Sequence, residues 1–193
     1  MHNQMIDIET LFEGIYNKLI SLEFGKNLGG ELPLFIQPVP SELQADVERQ
    51  IKRLSTRLQK KGITSVSINL YDLCMDILRE ADVLDAILEQ EQEIEREDII
   101  STLDSVLDIK SIIIPRIKDA IVEAHPQYAF ISGVGNVYPF VRSHGILNNI
   151  DELTDECNLI LFFPGEYNNL QLKLFGKISD ENYYRGHNLN EMN

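Results

Sequence analysis

The sequence predicts an α/β fold of the three-layer Rossmann-like type, in which helices flank a mostly parallel sheet and the last strand is antiparallel. Apolar residues alternate with a strand period over 65–70 and form compact runs at 128–134 and 158–163. Apolar residues at helical spacing fill the intervals between these runs. Strands that alternate with helices are typical of parallel sheets joined by crossover helices.

The amino-terminal part of the chain contains two predicted helices and two predicted strands. Residues 7–22 carry apolar side chains on one helical face. The apolar run 32–39 contains prolines, which predicts a strand at an edge of the sheet because proline donates no ladder hydrogen bond. Ser41 with Gln44 forms a possible capping box for a helix whose apolar positions recur over 47–58 and which Gly62 ends. The alternating strand 65–70 leads directly into the next helix.

The second half of the chain begins with a segment of acidic helical pieces around 82–108, which we interpret as an insertion on the domain surface. A helix is then predicted over 115–124, with Pro115 in its first turn. Beyond the next strand, the pattern predicts a helix over 139–150, a strand over 158–163 and a hairpin-like strand over 171–175.

Composition limits the class of protein. A length of 193 residues suits one domain, here residues 1–193. No apolar run approaches the roughly 20 residues that span a bilayer, and the start of the chain does not resemble a signal peptide. Cys74 and Cys157 lack metal-binding spacing and are expected to be reduced core thiols. We therefore expect a cytoplasmic protein that does not contact a membrane.

Charge is unevenly distributed along the chain. The net charge is −14, which disfavours direct binding to nucleic-acid phosphates. Residues 72–108 hold thirteen acids and two arginines, whereas 49–61 is basic and includes Arg49, Arg53 and Arg57. This segregation favours oriented contacts with other proteins, and these three arginines are candidate contact residues. The alternative is that both segments are solvated helix faces.

A Gly-x-Gly turn, Gly133-Val-Gly135, lies between a predicted strand and the residues that follow it. No P-loop string occurs in the chain, and Tyr138 stands where a dinucleotide-binding turn has its third glycine. The pattern favours a tight turn that needs positive φ. Alternatively, the amides after the turn hold an anion or a carboxylate of a partner.

Polar residues follow the predicted strands at their carboxyl ends, where open α/β sheets usually bind ligands. These residues are Asn69, Asp72, Ser132, Asn136 and Glu166. The set predicts a polar crevice but contains no recognisable nucleophile–base pair. We therefore predict no catalytic residue, cofactor or metal.

Two further groups are candidates for binding a partner or ligand. Arg142 can pair with a carboxylate or phosphate, and His144 can act as a base or ligand or make a structural hydrogen bond. Near the end of the chain, Tyr183, Tyr184 and Arg185 combine residue types that are common at binding hot spots. The alternative for the tyrosines is packing on the edge of the sheet.

Several motifs of the last third of the chain, together with its length, are similar to the BrxB family, small proteins encoded in BREX bacteriophage-exclusion loci. The motifs are Gly133-Val-Gly135, Tyr138-Pro-Phe-Val-Arg142, His144, Leu147-Asn-Asn149, Phe162-Phe-Pro-Gly165 with Tyr167, Leu172 to Gly176, and Asn182-Tyr-Tyr-Arg185. Upstream, Ile68-Asn-Leu-Tyr-Asp72 also fits. The resemblance covers the whole chain, and its specific motifs lie in the last third.

The resemblance implies a bacterial component of phage defence. It also implies, as partners, a PglZ-like protein and a BrxC-like ATPase, and it supplies no catalytic residues. The first hypothesis is a non-enzymatic adaptor that binds one or both of these proteins. The second is a degenerate nucleotide- or nucleic-acid-binding α/β domain, with or without enzymatic activity.

Overall fold

The computed structural model describes residues 7–26, 28–90, 93–149, 151–155, 157–168, 171–179 and 186–192. The strands in these ranges are β1 (Leu34–Val39), β2 (Ser65–Asn69), β3 (Tyr128–Ser132), β4 (Asn158–Tyr167), β5 (Leu172–Leu174), β6 (Ile178–Ser179) and β7 (His187–Asn188). The α-helices are α1 (Ile8–Leu19), α2 (Gln44–Gln59), α3 (Leu70–Glu80), α4 (Val83–Gln90), α5 (Arg96–Val106), α6 (Ile114–Ala124), α7 (Val134–Val137), α8 (Ser143–Leu147) and α9 (Asp151–Thr154). A short 3-10 helix, Ser41–Leu43, precedes α2, and a π-helical turn, Ile109–Ile113, precedes α6.

The described strands form one mostly parallel sheet. Its main path has the order β2-β3-β4-β1-β7, and all neighbours on this path run parallel. The end of β4 extends beyond this path and pairs antiparallel with β5, which pairs antiparallel with β6. The predicted α/β fold class with a mostly parallel sheet is therefore confirmed. The strand predicted over 171–175 corresponds to β5 and is antiparallel, but it is not the last strand, since β7 follows and runs parallel to β1.

The central strands β1, β3 and β4 alternate their side chains between two hydrophobic clusters. On β1, Leu34 and Ile36 belong to the cluster formed with α3 and α6, whereas Phe35 belongs to the cluster formed with α1 and α2. Phe12 of α1 stacks on Phe162 of β4 with ring centroids 5.4 Å apart. Burial on both faces explains why these strands have nearly continuous apolar sequences, and it gives the three layers.

The predicted position of β1 at an edge is wrong. β1 lies between β4 and β7 and pairs with β4 over its whole length. Pro38 is tolerated there because β7 pairs only with Phe35 and Ile36, before the proline is reached. The missing amide therefore removes no hydrogen bond to β7.

The predicted continuous helix over 139–150 is also wrong. The structure has α7 before this range and, among the described residues 139–149, only the short α8. Tyr138 is extended, with ψ 138°, because a residue before proline is disfavoured in the helical region. Pro139 and Gly145 interrupt the helical signal that the apolar residues give.

Candidate functional site

The turn after β3 is packed against the start of α3. Gly133 has φ +77°, and a Cβ atom there would lie 3.1 Å from the backbone nitrogen of Tyr71 and closer still to Oδ1 of Asn69. The same Oδ1 accepts hydrogen bonds from the amides of Tyr71, at 2.9 Å, and Asp72, at 3.3 Å. Gly133 is therefore required where the chain passes the N-terminal cap of α3.

The second glycine of the turn makes room for an aromatic ring. A Cβ atom on Gly135 would lie 2.8 Å from Cε1 of Phe175 and 3.0 Å from Cγ of Pro164. The helix that follows Gly133, α7, has only four residues, so it offers little helix dipole to an anion. These contacts support the interpretation of Gly133-Val-Gly135 as a structural turn.

The polar residues predicted at the strand ends are only partly brought together. Asn69 and Ser132 are neighbours in the β2–β3 register. Asn136 and Asp72 are exposed. Glu166 lies on the extension of β4 and pairs with Lys173 of β5, with Nζ and Oε2 3.7 Å apart. The carboxylate of Glu166 is thus held in the β4–β5 hairpin.

Sequence reasoning missed the partner of Ser132. The buried hydroxyl of Ser132 donates a hydrogen bond to Oε1 of Glu48, which lies on α2, 84 residues away in the chain. In the sequence, the only signal for Glu48 was an acidic residue within a predicted helix. The contact joins α2 to the carboxyl end of β3 and satisfies the buried hydroxyl.

The remaining candidates of the last third lie at the surface or outside the described residues. Arg142 is exposed and precedes α8 as its N-cap residue. His144 is half-buried in α8, where its carbonyl accepts a hydrogen bond from the amide of Asn148. Tyr183, Tyr184 and Arg185 lie outside the described residues.

The arginines of the basic helix α2 form ion pairs within the chain. Arg57 donates two hydrogen bonds to Glu13 of α1, at 2.6 and 3.0 Å, and its guanidinium lies 3.7 Å from the ring centroid of Tyr16. The hydrogen bonds from Arg57 lower the pKa of Glu13. Arg53 pairs with Glu9 at 3.2 Å.

The third arginine of this set, Arg49, pairs with Asp46 at 2.7 Å on α2 itself. In contrast, Lys52, Lys60 and Lys61 are exposed and form no ion pair with any described residue. The arginines therefore stabilise α2 and its packing on α1, and the lysines are the freer cations of this surface.

A cavity of about 760 Å³ opens at the opposite, amino-terminal ends of the strands. The loop after α1 lines it with Lys26, Gly29 and Gly30, and residues just before the strands add Gln127 and Asp155. Its volume lies in the range of about 300–1,000 Å³ that is typical of small-molecule sites. Sequence reasoning did not predict this cavity, because its walls come from loops far apart in the chain.

The described residues contain neither a cluster suited to a metal ion nor a membrane-spanning helix. No cluster of three or more His, Cys, Asp or Glu side chains in this part of the chain is arranged to hold a metal ion. No described helix combines the length and apolar character that crossing a membrane requires.

Comparisons with known proteins agree with the resemblance carried by the motifs. The model of the family described as BREX protein BrxB matches residues 66–189. A BREX protein BrxB of Bacillus cereus (strain H3081.97) is 32% identical over 188 residues, which cover 94% of this chain and 97% of that protein. One of Escherichia coli O9:H4 (strain HS) is 25% identical over 193 residues, which cover 96% and 94%. No solved structure matches. The chain belongs to the BrxB family of BREX proteins.

Proposed function

We propose that this protein is a non-enzymatic adaptor that binds a PglZ-like protein, a BrxC-like ATPase, or both, within a BREX complex. Membership of the BrxB family makes the chain a component of a BREX system, which implies a role in phage defence. The adaptor role and the two partners are the proposal.

The observation that carries the proposal is how the carboxyl ends of the strands are filled. This is where open α/β sheets usually bind ligands. Here Asn69 and Phe175 occupy the space beside Gly133 and Gly135, and Glu48 takes the hydrogen bond of Ser132. Because the chain's own side chains use this space, a role through surface contacts is favoured over chemistry at the strand ends.

Co-purification tests the adaptor role. The chain is tagged and expressed from the complete locus, and the proteins that it retains at low salt are quantified by mass spectrometry. We expect the PglZ-like protein or the BrxC-like ATPase in amounts comparable to the tagged chain. The control is the same locus with an untagged chain. Recovery of neither partner above this control contradicts the proposal.

The cavity at the amino-terminal ends of the strands favours a second candidate function, the binding of a nucleotide or another small anion. Lys26, Gly29 and Gly30 line this cavity, so a cation and the backbone of two glycines are available to an anion there. A ligand that binds only the folded chain, at about 100 times its Kd, should raise Tm by about 5–10 °C. A thermal-shift screen of nucleotides with and without Mg²⁺ checks this, and the absence of any shift removes the candidate.

A further inference from the structure

The helices α4 and α5 carry apolar side chains that the core does not cover. Neither helix contains a fully buried residue. Val83 and Leu84 of α4 and Leu103 and Val106 of α5 pack against the core at its margin. About one turn along each helix from these residues, further apolar side chains follow in the sequence.

The apolar residues beyond the core margin form what we call the α4–α5 surface: Ile87, Leu88, Ile94, Ile99 and Ile100. Among the described residues, the half-buried Ile87, Ile94 and Ile99 pack against neither core cluster. Leu88 is 64% exposed and Ile100 is 37% exposed. Exposed apolar side chains that lie close together along the chain, as these do, suit contact with another protein.

The acidic side chains of this segment differ from several acids elsewhere in the described chain. Every Asp and Glu described between residues 82 and 106 is exposed, and none forms an ion pair with a described residue. Only one cation, Arg96, occurs in this part of the described chain. Elsewhere, acids such as Glu9, Glu13 and Glu80 are paired with arginines. The α4–α5 surface therefore combines apolar side chains with a segment whose described carboxylates have no ion-pair partner among the described residues.

We propose that the α4–α5 surface binds a basic amphipathic helix of a partner protein. This inference rests on the proposed adaptor function and identifies the surface that performs it. An amphipathic helix places apolar side chains such as leucine every three or four residues along one face. That face would contact the apolar side chains of the α4–α5 surface. Lysines or arginines beside that stripe would meet the unpaired carboxylates, and this complementarity would select the partner and accelerate binding.

A second copy of this chain is a less suitable occupant. The basic helix of this chain is α2, and its apolar face is buried against the sheet. Its arginines already pair with Glu9, Glu13 and Asp46. What α2 can present to another copy is its exposed lysines without an apolar stripe.

Site-specific photo-crosslinking tests the inference. A benzophenone amino acid replaces Leu88 in the full chain, expressed from the complete locus, and the crosslinked peptides are mapped by mass spectrometry. The matched control carries the same amino acid in place of Leu22, which is 81% exposed and far from α4 in the chain. We expect position 88, and not position 22, to crosslink to one segment of another BREX protein with helical apolar spacing and net positive charge.

Three outcomes overturn the inference: no crosslink from position 88, a crosslink to an acidic or non-helical segment, or a crosslink to a second copy of this chain. A paired variant gives an independent measurement, because Leu88→Ser with Ile100→Ser removes exposed apolar contacts without opening the core. We expect at least about tenfold less partner to be retained by this variant, as for the loss of two contact residues. Leu22→Ser should retain the partner as the unchanged chain does.

The two proposals fail in different ways. If the unchanged chain retains a partner and the Leu88→Ser, Ile100→Ser variant retains it equally, the adaptor function stands and the α4–α5 surface is the wrong contact. If the unchanged chain retains no partner and position 88 gives no crosslink, both proposals are overturned. Circular dichroism of the purified variants confirms that they are folded.

Discussion

Gly133 is a strand-end residue whose replacement the structure tolerates poorly. Its φ of +77° strains any other residue, and a Cβ atom would displace Asn69 from the cap of α3. We expect Gly133→Ala to lower the free energy of unfolding by about 1–3 kcal/mol. Urea unfolding followed by circular dichroism measures this change.

A matched control is Gly14→Ala in the middle of α1. No other atom lies within 4 Å of a Cβ built at this glycine, and the backbone there is helical. We expect this substitution to stabilise the chain by roughly 0.5–1 kcal/mol. If both glycine substitutions had the same effect, Gly133 would not be a conformationally required residue.

Cys74 is expected to be unreactive in the folded protein. Both cysteines are free and buried, which confirms the prediction of core thiols. Burial raises the pKa of the Cys74 thiol to about 11, so little thiolate is present at pH 8. Iodoacetamide at pH 8 should label Cys74 rapidly in urea and much more slowly without it, as measured by peptide mass spectrometry. Equal labelling rates would show that the thiol is accessible.

At the scale of elements, the packing of α1 on α2 depends on pH through Glu13. Its pKa in the folded chain is lowered from 4.5, chiefly because Arg57 donates hydrogen bonds to it. A lowered pKa means that the pair stabilises the folded chain above pH 4.5 and that this stabilisation is lost as the pH falls through the lowered value.

We therefore expect the urea midpoint to fall more between pH 7 and pH 3 in the unchanged chain than in Arg57→Gln. Other carboxylates contribute equally to both proteins and cancel in the comparison. Lys52→Gln on the same helix is the control, because Lys52 is exposed and forms no ion pair with a described residue. The same pH dependence in all three proteins would contradict the assigned role of Arg57.

Elements with strong internal patterns were predictable, and elements defined by distant contacts were not. The alternating strand β2 and the helix α6 match their predicted positions closely. β7 has only two residues and no pattern of its own, and the hydroxyl of Tyr167 accepts a hydrogen bond from the amide of Gly186 beside it. Such a strand forms because of its neighbours, which sequence periodicity does not report.

At the scale of the whole molecule, the layer architecture was predictable because apolar runs and helical spacing alternate along the chain. Strand order was not, since the pairing of β1 with β4 joins residues more than a hundred positions apart. The same limit applies to the candidate site. The chain pattern indicated that Gly133 and Gly135 form a turn, but the contacts of Phe175 and Glu48 depend on the folded arrangement.

On one face of the sheet, α4 and α5 present an acidic and partly apolar surface. On the opposite face lies the basic helix α2, whose Arg53 and Arg57 form ion pairs with α1. With a net charge of −14, attraction to a basic partner would be strongest at low salt, because ions screen charges over about 10 Å at 0.1 M. This distribution supports an adaptor that selects its partner by charge and holds it by apolar contact.

Direct binding between purified proteins tests the adaptor role most directly. The folded chain is titrated by calorimetry at low salt into the purified PglZ-like protein and, separately, into the purified BrxC-like ATPase of the same locus. The adaptor role predicts saturable binding to at least one of them, with an affinity that weakens as salt is added. Absence of binding to both proteins, each shown to be folded, would contradict it.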